Sequence, residues 1–109
     1  MARMLITFAT SAFFMMGSVE YSHAEDLFKN ADIAYGEYLA GECMTCHRSG
    51  STDGSIPNIA GVNAKIIASA LHSFQTKERE NKVMQLVAER LDDEQIASLA
   101  VYFASLTSD

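Results

Sequence analysis

The chain of 109 residues contains two cysteines and three histidines, and three of those five side chains fall in one short stretch, Cys43-Met44-Thr45-Cys46-His47. If the stretch is helical, the two thiols lie three residues apart and so share one turn. Each could then add across a vinyl group on one edge of a porphyrin, giving two thioethers. The neighbouring imidazole would project over the ring, where a nitrogen can bind the iron axially. This is the spacing of a c-type haem attachment sequence. It makes Cys43 and Cys46 the candidate attachment points, His47 a candidate iron ligand, and one covalent haem c the implied cofactor.

Three other uses of the same residues are open. A disulfide between Cys43 and Cys46 would close a very short loop and stabilise by no more than about 2 kcal/mol. A thioredoxin-like redox pair requires a βαβ setting, and helical periodicity dominates here. A zinc site requires about four ligands. Outside the first 24 residues the chain offers only Cys43, Cys46, His47 and His72. A thiol or zinc module without haem is therefore the remote alternative.

An electron-transferring iron needs a sixth ligand. Of six methionines, Met1, Met4, Met15 and Met16 fall in the leader described below, and Met44 sits between the cysteines. Met84 remains. His/Met ligation raises the reduction potential relative to two histidines. His72 is the rival, but it lies beside the apolar stripe of its helix and reads as a solvated side chain. Arg48, Arg79 and Lys82 are candidates for pairing with haem propionates, on the weak ground that surface charges commonly pair. Tyr35, Tyr38, Tyr102 and Phe103 read as helix-packing residues.

The elements that must position these groups are helical, with no convincing alternating strand. One helix is predicted over residues 33–44, capped by Asp32, with Tyr35, Tyr38 and Leu39 on one face. A second is predicted over 64–75, capped by Asn63, with Ile66, Ile67, Ala70, Leu71 and Phe74 as its apolar stripe. A shorter piece spans 83–90. The last helix follows Asp92, which with Gln95 resembles a capping box; Ile96, Leu99, Ala100, Phe103 and Leu106 keep helical spacing. Residues 48–62 are rich in Gly, Ser, Asp and Asn and contain Pro57, the only proline. A loop of that length in so small a domain is usually functional, and it is expected to wrap the cofactor.

The start of the chain reads as an export signal. Arg3 precedes an apolar run from Met4 to Met16, and Ser22-His23-Ala24 supplies small residues at a cleavage site. The alternative is an uncleaved membrane anchor, but a spanning helix requires about 20 apolar residues, and this run is shorter and interrupted by Thr7, Thr10 and Ser11. Residues 1–24 are thus expected to be a cleaved signal peptide and 25–109 a single-haem domain, periplasmic and not membrane-spanning. Cleavage removes one charge of each sign, so the net charge stays at −6. That balance disfavours nucleic acid, which calls for a basic face, and suits a redox partner with a positive docking patch.

With these motifs the chain resembles a class I cytochrome c over nearly all of residues 25–109. The resemblance implies an all-α fold in which the N- and C-terminal helices cross, with Gly36 as the close-contact residue facing Leu99, Tyr102 or Phe103. It also implies a proline carbonyl that accepts the ring N–H of the haem histidine, and Pro57 is the residue that can match. Ser55-Ile56-Pro57-Asn58-Ile59-Ala60-Gly61 resembles the corresponding loop in the cytochrome subunit of flavocytochrome c sulfide dehydrogenase. So does Val83-Met84-Gln85-Leu86-Val87-Ala88, leading into Leu91-Asp92-Asp93-Glu94-Gln95-Ile96. Tandem cytochromes of the c4 type share weaker versions of both. The implied role is electron transfer rather than catalysis, with a flavoprotein as partner. Only one attachment motif is present, so the implied form carries a single haem; a free-standing carrier for another respiratory or photosynthetic chain is the alternative.

Overall fold

A computed structural model describes residues 26–48 and 53–107; the expected leader lies outside them. A helical turn at residues 26–28 precedes five helices. These are α1 (Ile33–Leu39), α2 (Gly41–His47), α3 (Ala64–Gln75), α4 (Lys82–Glu89) and α5 (Asp93–Ser105). Among the described residues there is no strand, and the expected all-α fold is present.

Four of the helices begin on an Asx side chain that takes up an otherwise unpartnered backbone N–H. Asp32 accepts from Tyr35 N–H, Asn63 from Lys65 N–H and Asn81 from Met84 N–H. Asp92 accepts from Gln95 N–H at 2.8 Å while Gln95 Oε1 accepts from Asp92 N–H at 3.0 Å, the reciprocal capping box expected there. Helix α2 has no side-chain cap because it runs on from α1. Ala40 N–H donates to Gly36 O, and Ala40 O accepts from Met44 N–H, each at 2.9 Å.

The single helix expected over 33–44 is therefore two, broken at Ala40 and prolonged to His47. Tyr35 and Leu39 are half-buried, but Tyr38, expected to pack with them, is 81% exposed. Ile66 likewise leaves the expected stripe of α3 and stands exposed, while Ile67, Ala68 and Phe74 are buried. Helix α4 starts and ends one residue before its expected bounds.

Helix α1 crosses α5, and α3 packs against both α5 and α4. The crossing is close because Gly36 lacks a side chain: a Cβ there would overlap Ser98 O and lie 2.8 Å from Tyr102 Cβ. Tyr102 is one of the three expected alternatives; the nearer contact, Ser98, was not among them. Ser98 is fully buried, and its Oγ accepts from Asp32 N–H at 3.1 Å, so the start of α1 is fastened to the middle of α5. Ile96, Leu99, Ala100 and Phe103 of α5 form the core with Ile67 and Ala68 of α3 and Ala40.

Two substitutions check this account. Gly36→Ala should lower stability by about 1–3 kcal/mol through overpacking, read as a lower urea midpoint with an unchanged slope. Asn81→Ala should cost about 1 kcal/mol through loss of the α4 cap, and Asn81→Asp, which still accepts from Met84 N–H, should restore it. An unmoved midpoint in either alanine variant contradicts the corresponding contact.

Candidate haem-binding site

Helix α2 carries the whole Cys43-to-His47 motif. Cys43 and Met44 are half-buried and pack against the core, Cys46 is exposed, and both thiols are free. Burial pushes the Cys43 thiol above its ordinary value, and the Glu42 carboxylate beside it adds in the same direction. Cys43 is accordingly a neutral thiol at neutral pH. Among the described residues no group of three His, Cys, Asp or Glu side chains could hold a metal ion.

His47 ends the helix, half-buried, with Nδ1 2.7 Å from Pro57 O. A carbonyl oxygen can only accept, so Nδ1 carries the proton. In the neutral ring the lone pair then belongs to Nε2, the atom free to bind a metal. The Pro57 carbonyl is set by local turns and one long-range tie. Asp53 accepts from Ser55 N–H and Oγ, Asn58 from Ala60 N–H, and Gly61 N–H donates to Phe103 O at 2.8 Å. Gly61 has φ +76°, a backbone conformation that favours glycine.

Met84 is the third residue of α4, half-buried, with its N–H on the Asn81 cap at 3.0 Å. Val87 lies one turn further along α4 than Met84. It lines a cleft of about 520 Å³ together with Leu39, Cys43, Leu91 and Leu99, whereas Met84, Cys46, His47 and Pro57 do not. That volume lies in the range of about 300–1,000 Å³ usual for cofactor sites. Glu42 and Arg90 also line the cleft and pair across it at 3.5 Å. Both are largely exposed, and such pairs contribute about 0–1 kcal/mol.

The remaining sequence candidates fall elsewhere. Arg79 lies over the Phe74 ring, 5.0 Å from its centroid, and Arg48 and Lys82 are exposed. His72 is more engaged than a solvated side chain: Nδ1 is 3.1 Å from Gln75 Oε1, and Nε2 is 3.9 Å from Asp93 Oδ1. Sequence reasoning missed the cleft walls Val87 and Leu91 and the polar contacts of Gln75. The i, i+3 step from Met84 pointed to Val87; nothing local pointed to Gln75.

Two thiols, an imidazole nitrogen with a free lone pair and an apolar cleft beside Cys43 fit a covalently attached porphyrin. No protein-family profile matches the chain. It is 33% identical over 82 residues to cytochrome c-554(548) of Halomonas halodenitrificans, covering 68% of this chain and 95% of that protein. With the cytochrome subunit of sulfide dehydrogenase of Chlorobaculum tepidum the identity is 34% over 85 residues, 77% of each chain. Cytochrome c4 of Azotobacter vinelandii is 26% identical over 86 residues, and the match spans 75% of this chain and 41% of that one. With the fold and the motif in accord with these relatives, the chain belongs to the cytochrome c family, with covalently bound haem c as its cofactor.

Proposed function

We propose that this chain is a periplasmic single-haem electron carrier whose donor is a flavoprotein subunit of the sulfide dehydrogenase kind. In this reading residues 1–24 direct export and are removed, leaving 25–109 as the working domain. Haem c, when bound, supplies a one-electron iron couple. Cys43 and Cys46 would anchor it through thioethers, and His47 and Met84 would supply the nitrogen and the sulfur that hold its iron. Pro57 O holds the His47 ring in the tautomer that presents Nε2. Held by protein donors on both sides, the iron would offer substrate no open site, and the domain would be a carrier rather than an enzyme.

The observation that carries the reading is the 2.7 Å contact from His47 Nδ1 to Pro57 O. A histidine that merely closes a helix has no need of a buttress fixing its tautomer. One beside two thiols gains basicity and orientation as a ligand from such a partner. The flavoprotein donor is supported by the likeness to a sulfide dehydrogenase cytochrome subunit over 77% of both chains. The net charge of −6 complements a positive docking patch. A second reading, a free-standing carrier for another respiratory or photosynthetic chain, is favoured by the match along 95% of cytochrome c-554(548).

Two measurements test these assignments. In the haem-loaded protein, Met84→Ala should abolish the sulfur-to-iron charge-transfer band and lower the potential; an unchanged band removes Met84 as a ligand. Reduction by a sulfide-reduced flavoprotein should be fast at low ionic strength and slow by about tenfold or more as salt screens the encounter. A salt-independent rate, or no reduction at all, favours the free-standing carrier.

A further inference from the structure

Helix α4 packs principally against α3, and its apolar packing is thin. Val83 and Leu86 are 65% and 61% exposed, and Ala88 is its one buried residue. A single polar side chain makes up part of the difference. Gln75, the last residue of α3, is half-buried and extends its amide to the far end of α4. Its Nε2 donates to Ala88 O at 3.0 Å and to Leu91 O at 2.6 Å. Ala88 O also accepts from Leu91 N–H at 3.1 Å, and Leu91 lies just past the helix end, so the two donated bonds tie Gln75 to the turn that closes α4.

The orientation of this amide is determined by its surroundings. Turned over, Oε1 would face two carbonyl oxygens, and neither side could donate. In the observed sense Oε1 accepts from His72 Nδ1 at 3.1 Å, so all three of these contacts are matched. Ala88 lies one helical turn beyond Met84, so a bond that fixes the Ala88 carbonyl also fixes the height and rotation of the turn bearing the thioether. Asn81 holds the opposite end of the same helix through Met84 N–H.

We propose that Gln75 is a positioning residue for the Met84 ligand: its two donated hydrogen bonds keep α4 seated so that the thioether stays on the iron. This rests on the reading that Met84 is an axial ligand. When a ligand must leave before another can enter, the apparent affinity of the newcomer reports the fraction of open states. Added imidazole therefore reads the clamp directly.

The test uses haem-loaded Gln75→Met, Gln75→Glu and Gln75→Lys proteins from a maturation-competent host, with imidazole titration, the sulfur-to-iron band and thermal melting measured on each. Gln75→Met keeps length and loses both donors; it should bind imidazole about tenfold or more tightly than wild type. Gln75→Glu keeps the shape but sets a carboxylate against two carbonyls, so its band should be weakest and its imidazole affinity highest. Gln75→Lys restores donors and should return both readouts close to wild type. Should Gln75→Glu fail to accumulate, the Met and Lys variants still decide the matter. A lowered melting temperature with wild-type imidazole affinity and band in Gln75→Met would mean ordinary packing and would overturn the proposal. A wild-type protein without the band would overturn Met84 ligation itself, and the clamp with it.

Discussion

The approach of α1 to α5 at Gly36 is the contact on which the remaining geometry depends. Backbone meets backbone there, because a Cβ would overlap Ser98 O. Ser98 Oγ then takes up Asp32 N–H, which fixes where α1 begins. Since α2 is joined to α1 at Ala40, whose N–H donates to Gly36 O and whose carbonyl accepts from Met44 N–H, the crossing also sets where Cys43 and His47 stand. The same α5 holds the loop on the other side of the imidazole, through Gly61 N–H and Phe103 O. His47 and its Pro57 partner are thus both referred to one helix.

The core built around that helix is short of volume. Among the described residues, five of the ten buried apolar side chains are alanine: Ala40, Ala68, Ala88, Ala97 and Ala100. Alanine lets helices approach but contributes little apolar area, and a domain of this size is marginal on its core alone. A haem supplies what is missing. Burying roughly several hundred Å² of porphyrin at ~25 cal/mol/Å² is worth on the order of 10 kcal/mol, comparable with the whole stability of an ordinary domain. The half-buried Leu39, Val87 and Leu91 beside Cys43 are the apolar surface such a group would cover. Cofactor and core are parts of one packing problem.

What could be read from sequence was what is local. Asp32, Asn63 and Asp92 were visible as caps because an Asx residue before an apolar-periodic run has only one common use. The Cys43-to-His47 motif was visible because its spacing is itself the chemistry. Tyr38 and Ile66 were misread as packing residues for a common reason: periodicity tells which residues share a face, not which part of that face a partner covers. The break at Ala40 keeps nearly every helical hydrogen bond, so it leaves no signal of the Gly or Pro kind. Gln75 was illegible because its partners lie 13 and 16 residues away and are backbone carbonyls, whose presence no side chain announces. Pro57 came from family resemblance; composition alone marked only a loop.

The two residues proposed to hold the iron are themselves held by different physics. The His47 side stands on a close backbone crossing, a buried serine and a loop tied to α5, all cooperative with the core. The Met84 side stands on a short helix with one buried residue, an Asx cap and an amide clamp. Local opening starts where buried contacts are fewest, so on the proposed ligation the thioether, not the imidazole, is the ligand that exchanges. That asymmetry follows from the sequence order. The histidine stands on the helix that continues from the α1–α5 crossing, whereas the methionine stands on a short helix with one buried residue.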